Sequence, residues 1–494
     1  MTPCRGVDQP IGWAASDFRG IFVGWFVKYI STRGAAPALA FDDALLAGLA
    51  SDGGLYVPET WPRLTRPDLR ALFGLSYAEV AARVMAPFVG GAVAEDDFAA
   101  MAVDAYRDFD HPAVAPLTQL GRNQWLLELF HGPTLSFKDY ALQLVGRLFD
   151  HVLTRRGQRI ALVCATSGDT GSAAIEACRD RGSLDVFVLH PKGRVSDVQR
   201  RQMTTVTSSN VHNVAVEGTF DDCQDLVKAM FNDRAFSDRC RLSAVNSINW
   251  ARIMAQVVYY VVAAVALGAP GRRITFSVPT GNFGNVYAAY VARRMGLPVD
   301  GLVIGSNVND VLTRYFSTGE MSMAPVQPTL SPSMDIQVSS NFERLLFDCY
   351  GRDGARLGPV MERFRKRGRA NFGKTRWRRM ARLFDGYSVD DEATKMAIRI
   401  IHRHTGQLLD PHSAIAVTAG ISRHYTKAST LVSVATAHPA KFPQAVEDAT
   451  GIRPPLPAHL ADLHERPEHF ETLPNDLAVV QDFVTQRLAG GTAP

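Results

Sequence analysis

Residues 128–139 read Glu128-Leu-Phe-His-Gly-Pro-Thr-Leu-Ser-Phe-Lys-Asp139. An apolar run, Trp125-Leu126-Leu127, leads in, and Gly132-Pro133 marks a turn. Beyond the turn, Phe137, Ala141, Leu144, Val145 and Leu148 recur at helical spacing. Lys138 therefore sits just inside a helix start. A lysine beside Phe137 and Leu135, near helix-terminal amides, loses hydration and drops in pKa. Such an amine is a nucleophile for carbonyls, including the Schiff base to pyridoxal phosphate. Lysines in first helical turns are usually solvated, so this stretch gains meaning only from what accompanies it.

What accompanies it is an alternation of strands and helices from about residue 111 onward. Apolar runs of buried-strand length occur at 159–165, 184–190, 211–216, 274–278, 302–305 and 431–435. Alternation of this kind implies a parallel α/β sheet with ligands at the carboxyl ends of its strands. Residues 27–110 read differently, as a mostly helical N-terminal unit. It opens on a strand-like Lys28-Tyr-Ile-Ser-Thr-Arg33 and has an Asp-capped helix near Phe41-Asp42-Asp43. Two longer helical patterns follow at 76–88 and 95–108.

Two Gly-rich turns lie between strand and helix. Ala165-Thr-Ser-Gly-Asp-Thr-Gly-Ser172 offers hydroxyls and free first-turn amides, the makings of an anion site. It reads equally well as a helix start capped by Ser167 or Asp169. Pro279-Thr-Gly-Asn-Phe-Gly-Asn285 has the same logic for a phosphate held by main-chain N–H groups, or is an ordinary turn. Neither is G-x-G-x-x-G or G-x-x-x-x-G-K-[ST], so a dinucleotide or triphosphate is not favoured. Thr436-Ala-His-Pro-Ala-Lys-Phe442 ends the last apolar strand, where a hydroxyl can meet a ligand ring edge. A reactive lysine, two anion-cradling loops and a late Thr together match what pyridoxal phosphate requires.

Composition narrows the field. With 494 residues, 46% hydrophobic and 21% charged, the chain is an ordinary globular protein of two to four domains. A net charge of +4 calls for no nucleic acid, and no apolar run reaches membrane-spanning length. Ten Lys or Arg among residues 363–382 read as a solvated surface insertion, with a nucleic-acid patch as the rival. Six scattered cysteines without a C-x-x-C pair indicate neither zinc nor a disulfide framework, and fit a reducing cytoplasm. The histidines at 402, 404, 412 and 438 have no metal-ligand spacing. The apolar piece at 20–27 lacks the flanks of a signal peptide. Residues 1–26 are expected to lie upstream of the true start, with Val27 as initiator.

The motifs are distinctive as a set. His131-Gly-Pro-Thr-Leu-Ser-Phe-Lys-Asp139, Thr166-Ser-Gly-Asp-Thr-Gly171, Gly281-Asn-Phe-Gly284 and Thr436-Ala-His-Pro-Ala-Lys-Phe442 together resemble the threonine synthase family, in its longer bacterial and fungal form. Lys28-Tyr-Ile-Ser-Thr-Arg-Gly34, Asp52-Gly-Gly-Leu-Tyr-Val-Pro58, Asn246-Ser-Ile-Asn249, Asn307-Val-Asn-Asp310 and Ser333-Met-Asp335 are similar to that family too. The resemblance runs from about 27 to about 455, less the basic stretch.

It implies a tryptophan-synthase-β-like, pyridoxal-phosphate-dependent α/β fold (fold type II) with two α/β subdomains and the N-terminal mainly helical domain at 27–110. The catalytic core would span 111–455, with a smaller subdomain near 155–265 and a basic insertion near 355–385. A C-terminal segment, 456–494, would follow. Lys138 would carry the cofactor. Gly281, Asn282, Phe283 and Gly284 would cradle its phosphate with Asn285 beside them, where many relatives have Asp. Thr436 would meet the ring nitrogen. Ser167, Asp169 and Thr170 would face the substrate carboxylate or the ring hydroxyl, and Ser247, Asn249 and Arg252 the substrate phosphate.

The implied reaction turns O-phospho-L-homoserine and water into L-threonine and phosphate by β,γ-elimination and replacement, with Lys138 shuttling protons. This is the last step of threonine biosynthesis. No nucleic acid, membrane or metal is expected, and the chain would be a monomer or homodimer. The rivals are a phospho-lyase releasing 2-oxobutyrate from the same substrate, a serine/threonine dehydratase, and a non-catalytic binder that keeps the cofactor fold.

Overall fold

The computed structural model describes residues 27–243, 248–424 and 429–490. The expectation for residues 1–26 lies outside them.

The strand-like opening is a strand, Tyr29–Ser31, paired antiparallel with Tyr56–Pro58. Helices Tyr77–Val89 and Glu95–Tyr106 follow, the first closed by a capping box between Ser76 and Glu79. The helix Phe41–Ala47 corrects one expectation. Its N-cap is Ala40, with no side-chain cap. Asp42 instead pairs with Arg155 and Arg156 at 3.0 and 2.5 Å, so charge pairing to another helix displaces local capping.

Two large sheets organise the rest, beside a small antiparallel pair of Glu320–Ser322 with Arg369–Asn371. The larger has six strands, in the order Phe384–Ser388, Val299–Ser306, Ile274–Pro279, Thr430–Ala435, Gln124–Glu128, Leu117–Gly121. All neighbours are parallel except the last pair, an antiparallel hairpin. The smaller sheet has five parallel strands in the order Glu471–Pro474, Val211–Glu217, Leu184–Pro191, Ile160–Ala165, Leu242–Ser243. The six apolar runs read from sequence all fall on strands. They run continuously because helices cover both faces of a parallel sheet. Trp250–Ala266 is apolar on every side apart from Arg252 and Gln256, and it is buried against helices Tyr77–Val89, Lys138–Arg156 and Gly284–Met295.

The chain's end was read only as a trailing segment, yet it is built into the fold. Strand Glu471–Pro474 edges the smaller sheet, and Val480 and Val484 of helix Leu477–Gly490 pack with Phe187, Val214 and Met230. The basic stretch is likewise folded, as helix Gly354–Arg367, strand Arg369–Asn371 and helix Lys374–Met380. Phe364, Phe372 and Met380 are buried, and Trp377 Nε1 donates to the Phe316 carbonyl at 2.9 Å. The interspersed apolar residues are anchors, and most of the cations between them are exposed. Among the described residues no helix is long and apolar enough to cross a membrane.

This topology positions the site. Strands Gln124–Glu128, Thr430–Ala435 and Ile274–Pro279 are sheet neighbours. Their carboxyl ends deliver the lysine loop, Thr436 and the 279–285 turn side by side.

Candidate active site

Lys138 is the first residue of helix Lys138–Arg156. Its Nζ lies 3.0 Å from Asp169 Oδ2, with both side chains at least nine-tenths buried. Burial lowers the Lys138 pKa. Asp169 opposes that, the charges of Lys441 and Arg252 add to it, and the net direction is down.

Asp169 starts helix Asp169–Cys178 but does not cap it, which corrects one of the two readings of this turn. The N-cap is Gly168. Thr166 Oγ1 instead accepts from the N–H groups of Gly168 and Gly171, both at 2.9 Å. The Asp169 carboxylate is thus free for other partners. Its Oδ1 takes Gln199 Nε2 at 2.7 Å and Lys441 Nζ at 3.0 Å. Gly168 has φ +135°, and a Cβ there would fall 2.6 Å from Gln199 Cδ, so only glycine admits Gln199. Burial pushes the Asp169 pKa up, but Lys138 and Lys441 outweigh it and hold the carboxyl well below the ordinary range. Ser167 and Thr170 are partly exposed, and their hydroxyls make no hydrogen bond among the described residues.

The turn at 279–285 leads into helix Gly284–Met295. Phe283 adopts φ +67°, a strained conformation for a residue with a Cβ. Its buried ring packs on Phe342 and Phe384, with centroids 5.1 and 5.6 Å away, and this packing holds the backbone there. A Cβ at Gly281 would lie 2.8 Å from the Ser333 carbonyl. First-turn N–H groups of a helix have no intrahelical acceptor, so they are available to an anion. Asn285 differs from expectation. Its Oδ1 accepts from Tyr259 and Tyr260 hydroxyls, both at 2.6 Å, so its carbonyl is turned to the buried tyrosine pair. Its backbone N–H remains for a phosphate.

Thr436 follows strand Thr430–Ala435. Its carbonyl accepts from Phe137 N at 2.9 Å, and its N–H donates to Ser413 Oγ at 3.2 Å. Asp410 holds Ser413 in turn, and also takes His412 Nδ1 at 2.7 Å. The Thr436 hydroxyl has no partner among the described residues.

Arg252 is 3% exposed, and its Nε and Nη1 have no hydrogen-bond partner among the described residues. Burial pulls its pKa down to about 10. A buried cation with unused donors is a receptor for an anion. Asn249 is not such a receptor. Its Nδ2 donates to Leu45 O at 2.8 Å and its Oδ1 caps the next helix through Ala251 N at 3.0 Å. These bonds join the N-terminal unit to the core and leave one Nδ2 hydrogen over. Ser247 lies outside the described residues.

Sequence reasoning assigned no role to Lys441, Gln199 or Ser333. Ser333 Oγ reaches Asp169 Oδ2 at 3.4 Å. Two residues on, the Asp335 carboxylate gathers Asn307 Nδ2, Asn309 Nδ2 and Thr329 N at 2.7, 3.0 and 2.9 Å. The Asn307–Asp310 and Ser333–Asp335 motifs are two halves of that knot. Lys441 stood inside a motif read for its Thr. Burial of a Lys among apolar neighbours was its one available signal.

The comparisons agree with this geometry. A model described as pyridoxal-phosphate dependent enzyme matches residues 111–362. Models for the threonine synthase N terminus and C-terminal region match 28–106 and 413–484. Threonine synthase of Pseudomonas aeruginosa is 56% identical over 461 residues, covering 93% of this chain and 98% of that protein. The crystal structure of PLP-bound threonine synthase from Brucella melitensis superposes with a TM-score of 0.92 at 52% identity, covering 93% of this chain and 99% of that one. Yeast threonine synthase gives 0.90 at 36% identity, covering 95% and 100%. With the lysine loop and the turns in place at the strand ends, the chain belongs to the threonine synthase family of pyridoxal-phosphate-dependent enzymes.

Proposed function

We propose that this chain converts O-phospho-L-homoserine and water into L-threonine and phosphate, with pyridoxal phosphate carried on Lys138. The observation that carries the reading is a desolvated Lys138 beside a second buried cation, Arg252, whose Nε and Nη1 have no hydrogen-bond partner among the described residues.

The residues present suit the cofactor. The amine is buried, the 281–284 turn is shaped for close approach, and the Thr436 hydroxyl is unengaged at a strand end. When bound, the cofactor withdraws electrons from the amino acid it carries, easing proton loss at Cα and then Cβ. Main-chain N–H groups of Asn282, Phe283 and Asn285 would hold the cofactor phosphate, joined by that of Gly284 when it leaves Asn282 Oδ1, its acceptor at 3.0 Å. Thr436 meets the ring nitrogen with a neutral hydroxyl. An ionised Asp169 would repel a substrate carboxylate, so it accepts from the ring hydroxyl instead. Ser167, Thr170 and the adjoining helix N–H groups take the carboxylate.

Arg252 holds the substrate phosphate and stabilises it as it departs. Lys138 moves the protons, and its lowered pKa suits an amine that must be free to accept them. Water addition at Cβ completes threonine. The small-molecule substrate, a cytoplasmic setting and a monomer or homodimer belong to the same reading. No residue assigned here requires a second chain.

Product analysis tests it. Purified protein with pyridoxal phosphate and O-phospho-L-homoserine is followed by proton NMR. Threonine with stoichiometric phosphate is expected. Phosphate with 2-oxobutyrate would replace the synthase by the phospho-lyase, and no phosphate would remove the substrate.

A further inference from the structure

Lys441 has no exposed side-chain surface, and its ammonium meets three acceptors. These are the Thr134 carbonyl at 2.6 Å, Gln202 Oε1 at 2.9 Å and Asp169 Oδ1 at 3.0 Å. The first two are hydrogen bonds and the third is an ion pair, so the ammonium is surrounded by oxygens of this chain. Each acceptor comes from a different element: the lysine loop, helix Asp197–Thr204 and the start of helix Asp169–Cys178. Lys441 itself sits in the Pro439–Lys441 turn, five residues after Thr436.

We propose that Lys441 is a positioning residue of the site: it holds one oxygen of Asp169, so that Lys138 has only the other, and ties the strand end bearing Thr436 to the lysine loop and the smaller subdomain. A lone Asp169 would form a tight two-charge pair with Lys138 and keep it an ammonium. Sharing Asp169 between two lysines weakens that pair. Of the two, Lys441 keeps two hydrogen bonds to other acceptors and Lys138 bonds Asp169 alone among the described residues, so Lys138 is the one placed to release the proton. The charged groups facing Lys138 are Asp169, Lys441 and Arg252, each from a different element. Removing either cation should hold the Lys138 proton more tightly, and removing Asp169 should loosen it.

The inference rests on Lys138 being the cofactor lysine, and its test separates the two. Apo-protein is mixed with pyridoxal phosphate, and the rate of cofactor attachment is followed by visible absorbance across a pH series. Wild type should attach the cofactor and Lys138→Ala should not. Failure of that control overturns the cofactor assignment.

In Lys441→Met the rate profile should move to higher pH, by on the order of one unit. In Asp169→Asn it should move to lower pH. Opposite shifts are the signature of charge sharing, which a merely structural lysine would not produce. A Lys441→Met profile that overlies wild type, or that moves with Asp169→Asn, overturns the proposal. If Lys441→Met does not fold, Lys441→Gln carries the same expectation. Failure of both to fold, with Asp169→Asn folded, overturns the positioning role in favour of a structural one.

Discussion

The N–H of Phe137 donates to the carbonyl of Thr436 at 2.9 Å, joining the residue before the proposed cofactor lysine to the residue proposed to meet the ring nitrogen. The bond is between backbones, so side-chain changes at 436 leave the lysine loop seated. Thr436→Ala should therefore fold normally and lose one neutral hydrogen bond to the cofactor. Such a bond is worth about 1 kcal/mol, which is roughly fivefold. Turnover should fall and cofactor loss on dialysis should rise by about that factor. An unchanged variant would place the ring nitrogen elsewhere.

Lys138→Ala removes both the attachment point and the proton shuttle. It should fold, because the lysine's partner Asp169 keeps Lys441 and Gln199. Loss of a positioned acid–base group costs roughly 10²–10⁴-fold in turnover. After borohydride reduction, wild type should gain the mass of the cofactor and the variant should not. Measurable wild-type turnover in the variant would refute the assignment.

Arg252 gives a prediction of opposite sign for stability and function. A buried cation with two nitrogens unpaired among the described residues costs the empty protein stability, so Arg252→Gln should melt at the same temperature as wild type or higher without substrate. Losing charge-assisted bonds to phosphate, worth about 1.5–3 kcal/mol, should raise KM by about 10–100-fold. Steady-state kinetics beside a thermal melt would show both. An unchanged KM would move the substrate phosphate away from Arg252.

Legibility from sequence followed how local each interaction was. Lys138, the 281–284 turn and Thr436 stand at strand ends that short apolar runs and Gly-rich turns announce. Their working atoms are placed by a few neighbouring residues. Asn249 and Asn285 also lie in loops of this kind. Yet Asn249 is held by Leu45 O, about 200 residues away, and the Asn285 carbonyl by tyrosines on another helix. No local pattern encodes those partners. The same holds for Lys441, whose three acceptors come from three separate elements. The edge strand Glu471–Pro474 is four residues long and mostly exposed, so it shows neither alternation nor an apolar run.

Asp139, next to the reactive lysine, gives the pH prediction. It is fully buried and accepts from Thr134 N at 2.9 Å and Thr134 Oγ1 at 2.6 Å. Burial pushes its pKa from 3.8 up to about 6, against the pull of those bonds. A folded value above the unfolded one means the folded state binds the proton more tightly. The contribution to stability is then full below the unfolded value and is lost as pH rises through about 6. By neutral pH the shift amounts to about 3 kcal/mol. In Asp139→Asn the amide can match both partners, its oxygen accepting from Thr134 N and its NH₂ donating to Thr134 Oγ1. Melting of the apo-protein between about pH 4 and about pH 7 should therefore decline less steeply in the variant than in wild type. At neutral pH the variant should melt higher. Parallel profiles would mean that Asp139 is already ionised in the folded protein at low pH, its bonds to Thr134 outweighing its burial.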